Sequence, residues 1–357
     1  MKIIITKPRA GVARRRRMLN WRVSVWRWTT AASSVRETTG RLTSTAVSPS
    51  LLGQCQFLHC YCCFSLIIPR SVDGKGRGMF ATRNLAPGSV VLVEKPVLSV
   101  DVKKKNDKKQ QKILQDFKKL PEDVQTEVLK LHDPEESSST STPALLLSKL
   151  LRIMNYNSVN TNNFVLKTNM QTLYLKNSLF NHSCKPNCCW VPDEKSDILT
   201  VRALVPVRKG QELTVNYFFC LQEDRGQHCL MKKERQAKIM KSFNFLCLCS
   251  TCNKNDDDDL RKEYIEIDKQ VEAGFSDLES TLDVLNKCER KLELGRKIDP
   301  QVLLRDLIDS IIVVKCLMDH GFDLEDKCKE LKSEFERISC CYNTTFINKM
   351  KNELMLH

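Results

Sequence analysis

Three cysteines near residue 250 are close enough in sequence to bind a single metal ion. Cys247, Cys249 and Cys252 form a C-x-C-x₂-C pattern, and cysteine thiolates are soft ligands that suit Zn²⁺. A structural zinc site takes four ligands in tetrahedral geometry, so a fourth must come from elsewhere in the chain. Cys184, Cys188 and Cys189 are candidates upstream of the three. The pattern predicts a zinc site, and three buried thiols without metal are the alternative.

A glycine-rich turn far upstream could bind a small molecule. Gly76 and Gly78 flank Arg77 in the run Gly-Lys-Gly-Arg-Gly at 74–78, and glycine lets the backbone approach a ligand closely. A strand pattern follows this turn instead of a helix, so it is not a dinucleotide-binding fingerprint. The turn alone is weak evidence for any particular ligand.

Two polar sites follow apolar segments in the middle of the chain. Asn181 and His182 come directly after the apolar run 173–180, and Tyr217 ends the alternating segment 213–217. A histidine satisfied by backbone groups and a tyrosine that packs at a rim are the structural interpretations. A ligand-binding role becomes the better interpretation only because His182 stands two residues before Cys184.

These motifs, in this order, resemble the SET-domain protein lysine methyltransferases, and most nearly their SET-and-MYND group. The resemblance covers residues 70–253. It implies an α+β fold: a SET-type core of short β-strands with a helical insert and a post-SET zinc flap, followed by an all-α C-terminal domain. A MYND finger would stand near residue 100, yet residues 67–183 contain no cysteine. The chain therefore resembles a relative that lacks this finger.

The resemblance also implies a role for each candidate site residue. S-adenosylmethionine would be the methyl donor and Zn²⁺ the structural metal. The expected zinc ligands are Cys184, Cys247, Cys249 and Cys252. The expected contacts to the methionine end of the donor are Lys75, Gly76, Arg77, Gly78 and Asn162. Asn181 and His182 would contact its amino and adenine groups, Phe243 and Phe245 would stack on adenine, and Tyr217 would be the catalytic tyrosine.

Tyr217 is not expected to act as a general base. A phenol titrates near 10 in water, and methyl transfer from a sulfonium to a neutral amine is an in-line displacement that needs alignment more than proton relay. A lysine with a pKa of about 10.4 in water must arrive uncharged. A narrow apolar channel beside a cationic sulfonium favours the neutral amine by desolvation and like-charge repulsion.

The charge of the chain is concentrated at its start. The net charge is +14, and the first 36 residues contain ten basic residues and no acidic one. A nucleic-acid-binding protein that uses this basic leader is therefore one alternative function, although the rest of the chain is nearly balanced in charge. The Arg-rich, acid-free composition is also typical of a mitochondrial transit peptide, and Arg14 to Arg17 could act as a nuclear import signal.

The cysteines indicate a reducing compartment. The 17 cysteines follow no convincing signal peptide, which favours reduced thiols and metal ligation over disulfides. We expect a cytoplasmic or nuclear protein. The uncharged stretch 51–68 only reaches the lower length limit of a membrane span, and four cysteines within it do not fit paired zinc spacing. We therefore expect no membrane association.

Three regions are expected along the chain. A basic, Ser/Thr-rich, disordered leader would occupy residues 1–66. A SET domain would follow at 67–253, with its helical insert at about 102–155 and its zinc segment at 241–253. A helical domain would complete the chain at 254–357, where Asp299-Pro300 begins a helix that ends at Gly321.

Local patterns predict several elements of these regions. A hairpin is expected between the strand-like segments 79–82 and 90–93, because Pro87 and Gly88 suit a turn. Helices are expected at 113–120, 121–131 and 144–154 from 3–4 spacing of apolar residues. Short strands are expected at 164–166, 198–203 and 213–217. A capping box at Ser276 would begin a further helix.

The predicted function is S-adenosylmethionine-dependent methylation of lysine side chains in proteins. Histone tails fit as substrates by family analogy alone, and the activity requires no direct contact with nucleic acid. The alternative is a catalytically inactive, SET-like zinc-binding scaffold that binds partners through its helical region. We expect a monomer.

Overall fold

The computed structural model describes residues 66–103, 106–135, 140–163, 168–193, 196–218, 230–254, 257–273, 278–341 and 344–353. The predictions for the leader, for the strand 164–166 and for the capping box at Ser276 lie outside these residues. The described part falls in the unit Leu66–His357. Among the described residues, no helix is both long and apolar enough to cross a membrane.

Three small sheets form the β-structure of the described residues. Their strands are β1 (Ile67–Val72), β2 (Gly76–Ala81), β3 (Val90–Glu94), β4 (Leu98–Asp101), β5 (Val159–Asn163), β6 (Thr168–Leu173), β7 (Asn181–His182), β8 (Cys188–Pro192), β9 (Leu199–Ala203) and β10 (Glu212–Val215). Their orders are β1-β2-β10-β7, β3-β9-β8 and β4-β6-β5. The pairing of β7 with β10 is parallel, whereas the other ladders are antiparallel.

The predicted hairpin between β2 and β3 is wrong, although both strands exist. β2 pairs with β1 and β10, and β3 pairs with β9 in a different sheet. The hairpin forms instead between β1 and β2, where Gly74 and Gly76 have φ angles of 69° and 73° that suit glycine. Gly88 does adopt a positive φ, but its N–H bonds the Ala203 carbonyl at 2.7 Å. The turn at Gly88 therefore leads the chain from the sheet of β2 into the sheet of β3.

Helices surround these sheets. Three follow β4, namely α1 (Asn106–Lys118), α2 (Glu122–Leu129) and α3 (Pro143–Asn157). Seven follow β10, namely α4 (Lys232–Phe243), α5 (Ser250–Lys254), α6 (Asp258–Ala273), α7 (Leu278–Ile298), α8 (Leu303–Asp319), α9 (Glu325–Ser339) and α10 (Thr344–Glu353). The α+β core with a helical C-terminal region is confirmed.

The helical insert was predicted correctly because its apolar spacing is regular. Ile113, Phe117 and Ile153 are fully or nearly fully buried, and they share one core cluster with β4 and β6. Thr142 caps α3, since its side chain accepts a hydrogen bond from the Leu145 N–H. The insert therefore packs on the third sheet.

The long helix α8 begins and ends near the predicted residues. The Asp299 side chain accepts a bond from the Gln301 N–H at 2.9 Å, and a short 3₁₀ turn at Pro300–Val302 leads into the helix. Gly321 follows its end with a φ of 86°. The buried apolar residues of α8 belong to the largest core cluster of the helical region, which also contains residues of α7 and α9.

One lysine is completely buried in this region. Lys291 of α7 has no exposed surface, and its Nζ lies 2.6, 3.1 and 2.9 Å from carboxylate oxygens of Asp268, Asp306 and Asp309. Burial raises the pKa of Asp306 to about 7, while Lys291 acts against this rise. A buried ion pair contributes little net stability, but removal of one partner leaves uncompensated charge.

We expect Lys291→Met to lower the free energy of unfolding by about 3–5 kcal/mol, because three carboxylates would lose their shared cation. Chemical denaturation of the full chain measures this change. Lys262→Met is the matched control: its partner Asp259 is almost fully exposed, so a change within about 0.5 kcal/mol is expected. Equal stability of the two variants would contradict the buried-charge interpretation.

Candidate functional site

Four cysteine thiols converge beside the end of β7. The Sγ atoms of Cys184, Cys247, Cys249 and Cys252 all lie within 4.8 Å of one another, and all four residues are buried. The Cys184 Sγ is 3.9 Å from that of Cys247 and 3.5 Å from that of Cys252. A tetrahedral zinc site with Zn–S bonds of about 2.3 Å separates its sulfurs by about 3.8 Å. This arrangement fits zinc binding.

Backbone and side-chain groups hold the thiol cluster in place. The Cys184 N–H points at the Cys249 Sγ at 3.5 Å, and Ile239 and Phe218 pack against the cluster. Hydrogen bonds within the cluster, that with Cys184 first, lower the pKa of Cys252 to about 7, whereas hydrogen bonds with the other thiols, that with Cys247 first, raise the pKa of Cys184. Deprotonated thiols are the form that binds a metal ion, so a bound metal ion would replace the protons that these thiols share.

His182 connects the thiol cluster to Tyr217. Its Nδ1 accepts the Tyr217 backbone N–H at 3.2 Å, and burial lowers its pKa to about 4. In the neutral ring the remaining proton therefore resides on Nε2, which lies 3.4 Å from the Cys184 Sγ. The imidazole thus contacts the Cys184 thiol on one side and the tyrosine backbone on the other.

Asn187 fixes the position of β7 against β10. Its Nδ2 donates to the Glu212 carbonyl at 2.8 Å, and its Oδ1 accepts the Thr214 N–H at 2.8 Å. β7 contains only two residues, so these bonds replace a longer ladder. Sequence analysis assigned no role to Asn187, although its place after Pro186 in the motif was a usable signal.

Glu212 joins the glycine-rich turn to Asn181. Its carboxylate accepts a bond from Asn181 Nδ2 at 2.8 Å and lies 3.3 Å from the Lys75 Nζ. The same amide also donates to the Arg77 carbonyl at 3.2 Å. A Cβ on Gly78 would come within 2.8 Å of Asn181 Nδ2, so glycine is required there. The sequence patterns did not single out the Glu212 carboxylate as a site group.

The turn itself leaves room beside its backbone. An ideal Cβ on Gly74 or on Gly76 would meet no atom within 4 Å. Of these three glycines, only Gly78 has other atoms packed against the position that a Cβ would take. The Arg77 guanidinium donates to the Lys130 carbonyl at the end of α2, which ties the turn to the helical insert.

Tyr217 is half-buried beside these groups. Its hydroxyl donates to the Phe180 carbonyl at 2.8 Å, and burial, followed by the charge of Glu212, raises the pKa of this phenol. The phenol therefore stays protonated near neutral pH. The predicted strand 213–217 is too long, because β10 ends at Val215 and the Tyr217 N–H bonds the His182 side chain instead of a backbone carbonyl.

Aromatic rings surround Tyr217. Its ring centroid is 5.3 Å from that of His182, 4.9 Å from that of Phe243 and 6.5 Å from that of Phe245. Phe245 is 37% exposed, so this edge of the aromatic group opens to solvent. Rings at these spacings form an apolar wall that can hold a flat base or an aliphatic chain.

The candidate residues fall into two groups. Most of them lie together around β7, β10 and the turn before β2, and they share the contacts described above. Asn162 lies in β5, which belongs to the third sheet, and its side chain lies outside the described part of the structure. The sequence also gave no reason to single out Arg235, whose guanidinium lies 4.0 Å from the Cys252 Sγ.

Comparison with known proteins identifies the central part of the chain. The family model described as SET domain matches residues 76–218. The chain is 33% identical over 92 residues to the protein-lysine N-trimethyltransferase SMYD5 of Danio rerio, covering 26% of this chain and 21% of that protein. It is 31% identical over 156 residues to the histone-lysine N-methyltransferase SMYD3 of Mus musculus, covering 43% and 34%.

A SET and MYND domain-containing protein of Dictyostelium discoideum is 34% identical over 76 residues, covering 21% of this chain and 17% of that protein. The matched segments thus span about a third or less of the length of these curated relatives. A solved structure of a Plasmodium falciparum putative histone methyltransferase aligns at 13% identity over 43% of this chain and 93% of its own. Its TM-score of 0.23 is too low to support an argument.

The residues matched by the family model include β2, β7, β10 and Tyr217, which build most of the site. The chain therefore contains a SET domain and is homologous, through that domain, to the SMYD lysine methyltransferases and the SET-and-MYND proteins.

Proposed function

We propose that this protein is an S-adenosylmethionine-dependent methyltransferase that acts on lysine side chains of proteins. One observation carries the proposal: within a SET domain, the Tyr217 hydroxyl lies against the Phe180 carbonyl, next to Asn181 and the glycine-rich turn. Homology to lysine methyltransferases supports a protein substrate. Histones and other proteins are both candidates.

The residues around the turn fit the polar end of S-adenosylmethionine. Both amide hydrogens of Asn181 have acceptors, Arg77 O and Glu212 Oε1, so its Oδ1 is the atom that can accept a bond from an ammonium group. Lys75 provides a cation for a carboxylate. The open space at Gly74 and Gly76 lets a ligand lie against the backbone. When bound, the donor supplies an electrophilic methyl group on a sulfonium.

The roles proposed for Tyr217 and its neighbours follow from their hydrogen bonds and burial. The hydroxyl hydrogen is engaged by Phe180 O, which leaves the hydroxyl oxygen to accept an N–H from the substrate amine. The aromatic wall of Tyr217, Phe243 and Phe245 excludes water from the aliphatic part of a lysine. Desolvation lowers the pKa of a lysine amine and so favours its reactive neutral form. The raised pKa of Tyr217 disfavours a role as general base.

A catalytically inactive scaffold is the alternative. It would keep the thiol cluster and the helical region but would have no need for the Asn181 amide to bond both the Arg77 carbonyl and the Glu212 carboxylate. A screen of lysine peptides and whole proteins with labelled S-adenosylmethionine distinguishes the two. Label in a lysine supports the enzyme, and no label in any protein supports the scaffold.

The proposed compartment is the cytoplasm, the nucleus or both. The described cysteines are free thiols, which agrees with a reducing environment. Histone and cytosolic substrates would both be accessible to such a protein, and the screen above identifies which class is modified.

We expect Tyr217→Phe to lower kcat by about 100-fold or more, because misalignment of reacting groups by about 1 Å can cost this much. Binding of zinc and of S-adenosylmethionine should persist, since the ring and the backbone bond to His182 remain. Steady-state kinetics with a labelled methyl donor measure the effect, and calorimetry measures donor binding.

Tyr174→Phe is the matched control for this variant. Tyr174 is fully buried, and its hydroxyl also donates to a backbone carbonyl, that of Asp197 at 2.6 Å, outside the site. Its loss should cost stability without a comparable loss of kcat. A Tyr217→Phe enzyme as active as Tyr174→Phe would refute the catalytic role of the Tyr217 hydroxyl.

The thiol cluster is proposed as a structural zinc site with Cys184, Cys247, Cys249 and Cys252 as ligands. Its metal would join β7 to the segment that follows α4 and so place Phe243 and Phe245 over Tyr217. A structural zinc contributes on the order of 10–16 kcal/mol in small peptide sites at neutral pH. That amount is sufficient to hold a short segment that has little core of its own.

We expect the purified chain to contain one zinc per molecule, and Cys249→Ser to reduce this content to near zero, because three thiolates bind far more weakly than four. Elemental analysis measures the metal content. Cys316→Ser, at a partly exposed thiol on α8, is the control and should keep the zinc. Full zinc content in Cys249→Ser would show that the cluster is not the site.

A further inference from the structure

A buried arginine lies next to the thiol cluster. The side chain of Arg235, on α4, is only 6% exposed. Its Nη2 lies 4.0 Å from the Cys252 Sγ and donates to Asp257 Oδ1 at 2.9 Å, while its Nη1 donates to the Leu230 carbonyl at 2.6 Å. The guanidinium is thus fixed by three groups, one of which is a candidate metal ligand.

The contact between Arg235 and Cys252 brings a positive charge to a cluster that would be negatively charged with zinc bound. Four thiolates around Zn²⁺ carry a formal charge of −2, and uncompensated charge in a buried position is costly. The Cys184 N–H, directed at the Cys249 Sγ, contributes only a partial charge. Arg235 adds a full positive charge in contact with the cluster.

We propose that Arg235 is a positioning residue of the metal centre: its guanidinium offsets the negative charge of the tetrathiolate site and ties that site to the N-terminus of α6 through Asp257. This inference rests on the proposed zinc site. Groups just outside the ligands of a metal tune its affinity by hydrogen bonds and charge.

The neighbouring charges leave the positive charge of Arg235 available to the thiolates. Asp257 is shared, because Arg261 also binds it, with Nη2 2.7 Å from Asp257 Oδ2. Arg261 further donates to the Ile298 carbonyl. Two guanidiniums therefore surround one carboxylate. Asp258 Oδ1 lies 3.9 Å from Arg235 Nη1, about as far as the Cys252 Sγ is from Nη2, and it accepts the Lys232 N–H at 2.7 Å.

Asp299 is the acidic residue that lines the small cavity beside Cys184, Arg235 and Arg261. It is 1% exposed and accepts the Gln301 N–H.

Burial raises the pKa of Asp257, but Arg261 and Arg235 outweigh burial and lower it below its ordinary value. Asp257 therefore stays ionised and holds both arginines.

The planar shape of arginine suits this position. A guanidinium can bind a carbonyl, a carboxylate and a sulfur from one rigid group, whereas a lysine ammonium on a flexible chain has the same charge but no such fork. Comparison of the two substitutions therefore separates charge from geometry.

The test measures zinc affinity of the full chain by competition with a chromophoric chelator. The variants are Arg235→Gln, Arg235→Lys, Asp257→Asn and the double variant Arg235→Gln/Asp257→Asn. Lys241→Gln, an exposed cation on the same helix, is the control for net charge. The double variant removes the arginine without leaving Asp257 as an ionised carboxylate, so it remains informative if Arg235→Gln does not fold.

We expect Arg235→Gln to weaken zinc binding about 10–100-fold, and the double variant to bind zinc less tightly than Asp257→Asn by a comparable factor. Arg235→Lys should retain more affinity than Arg235→Gln, because it keeps the charge. Asp257→Asn should weaken zinc binding less than Arg235→Gln does, because Arg235 keeps its charge and its bond to the Leu230 carbonyl. Lys241→Gln should have no effect.

Two results would overturn the inference. Equal affinities of Arg235→Gln and Lys241→Gln would show that the guanidinium does not compensate the site. An Asp257→Asn variant as weak as Arg235→Gln would show that Arg235 acts only as part of the packing. Failure of the unmodified chain to bind zinc would instead refute the zinc site itself.

Discussion

The parallel contact between β7 and β10 is the constraint on which the site depends. β7 has only two residues, and its position is fixed by side-chain bonds from Asn187 to the backbone of β10. This contact places Asn181 beside the turn before β2 and places His182 beneath Tyr217. Segments more than 100 residues apart therefore meet at one point. Because these bonds connect sequence-distant residues, the site can form only when the whole core has folded.

Burial and charge then decide what the assembled residues can do. The same desolvation that lowers the pKa of His182 raises that of Tyr217, so both stay neutral near pH 7 and act as hydrogen-bonding groups instead of proton carriers. The ionised groups lie at the two ends of the site. Lys75 and Glu212 stand at the turn, and Arg235 and Asp257 stand behind the thiols. This division of neutral and charged groups suits a reaction that needs alignment in a dry pocket.

Much of this arrangement could be predicted from local sequence patterns, and the exceptions have physical causes. Regular apolar spacing predicted the helices of the insert. The order of the sequence motifs predicted that Asn181, Tyr217 and the four cysteines lie close together. The β2–β3 hairpin was wrong because a Pro-Gly turn fixes local direction but not the sheet that the next strand joins. Glu212, Asn187 and Arg235 were missed because their partners are distant in sequence, and a single polar residue carries no periodic signal. For the same reason, the burial of Lys291 could not be predicted from the sequence.

Donor binding tests the central claim most directly. Calorimetric titration of S-adenosylmethionine into the full-length, zinc-loaded chain should give one binding site per molecule, and S-adenosylhomocysteine should compete for it. Glu212→Ala should weaken this binding, because Asn181 would lose the carboxylate that orients its amide. Absence of any binding to a folded, zinc-loaded chain would contradict the claim that these segments form a methyl-donor pocket.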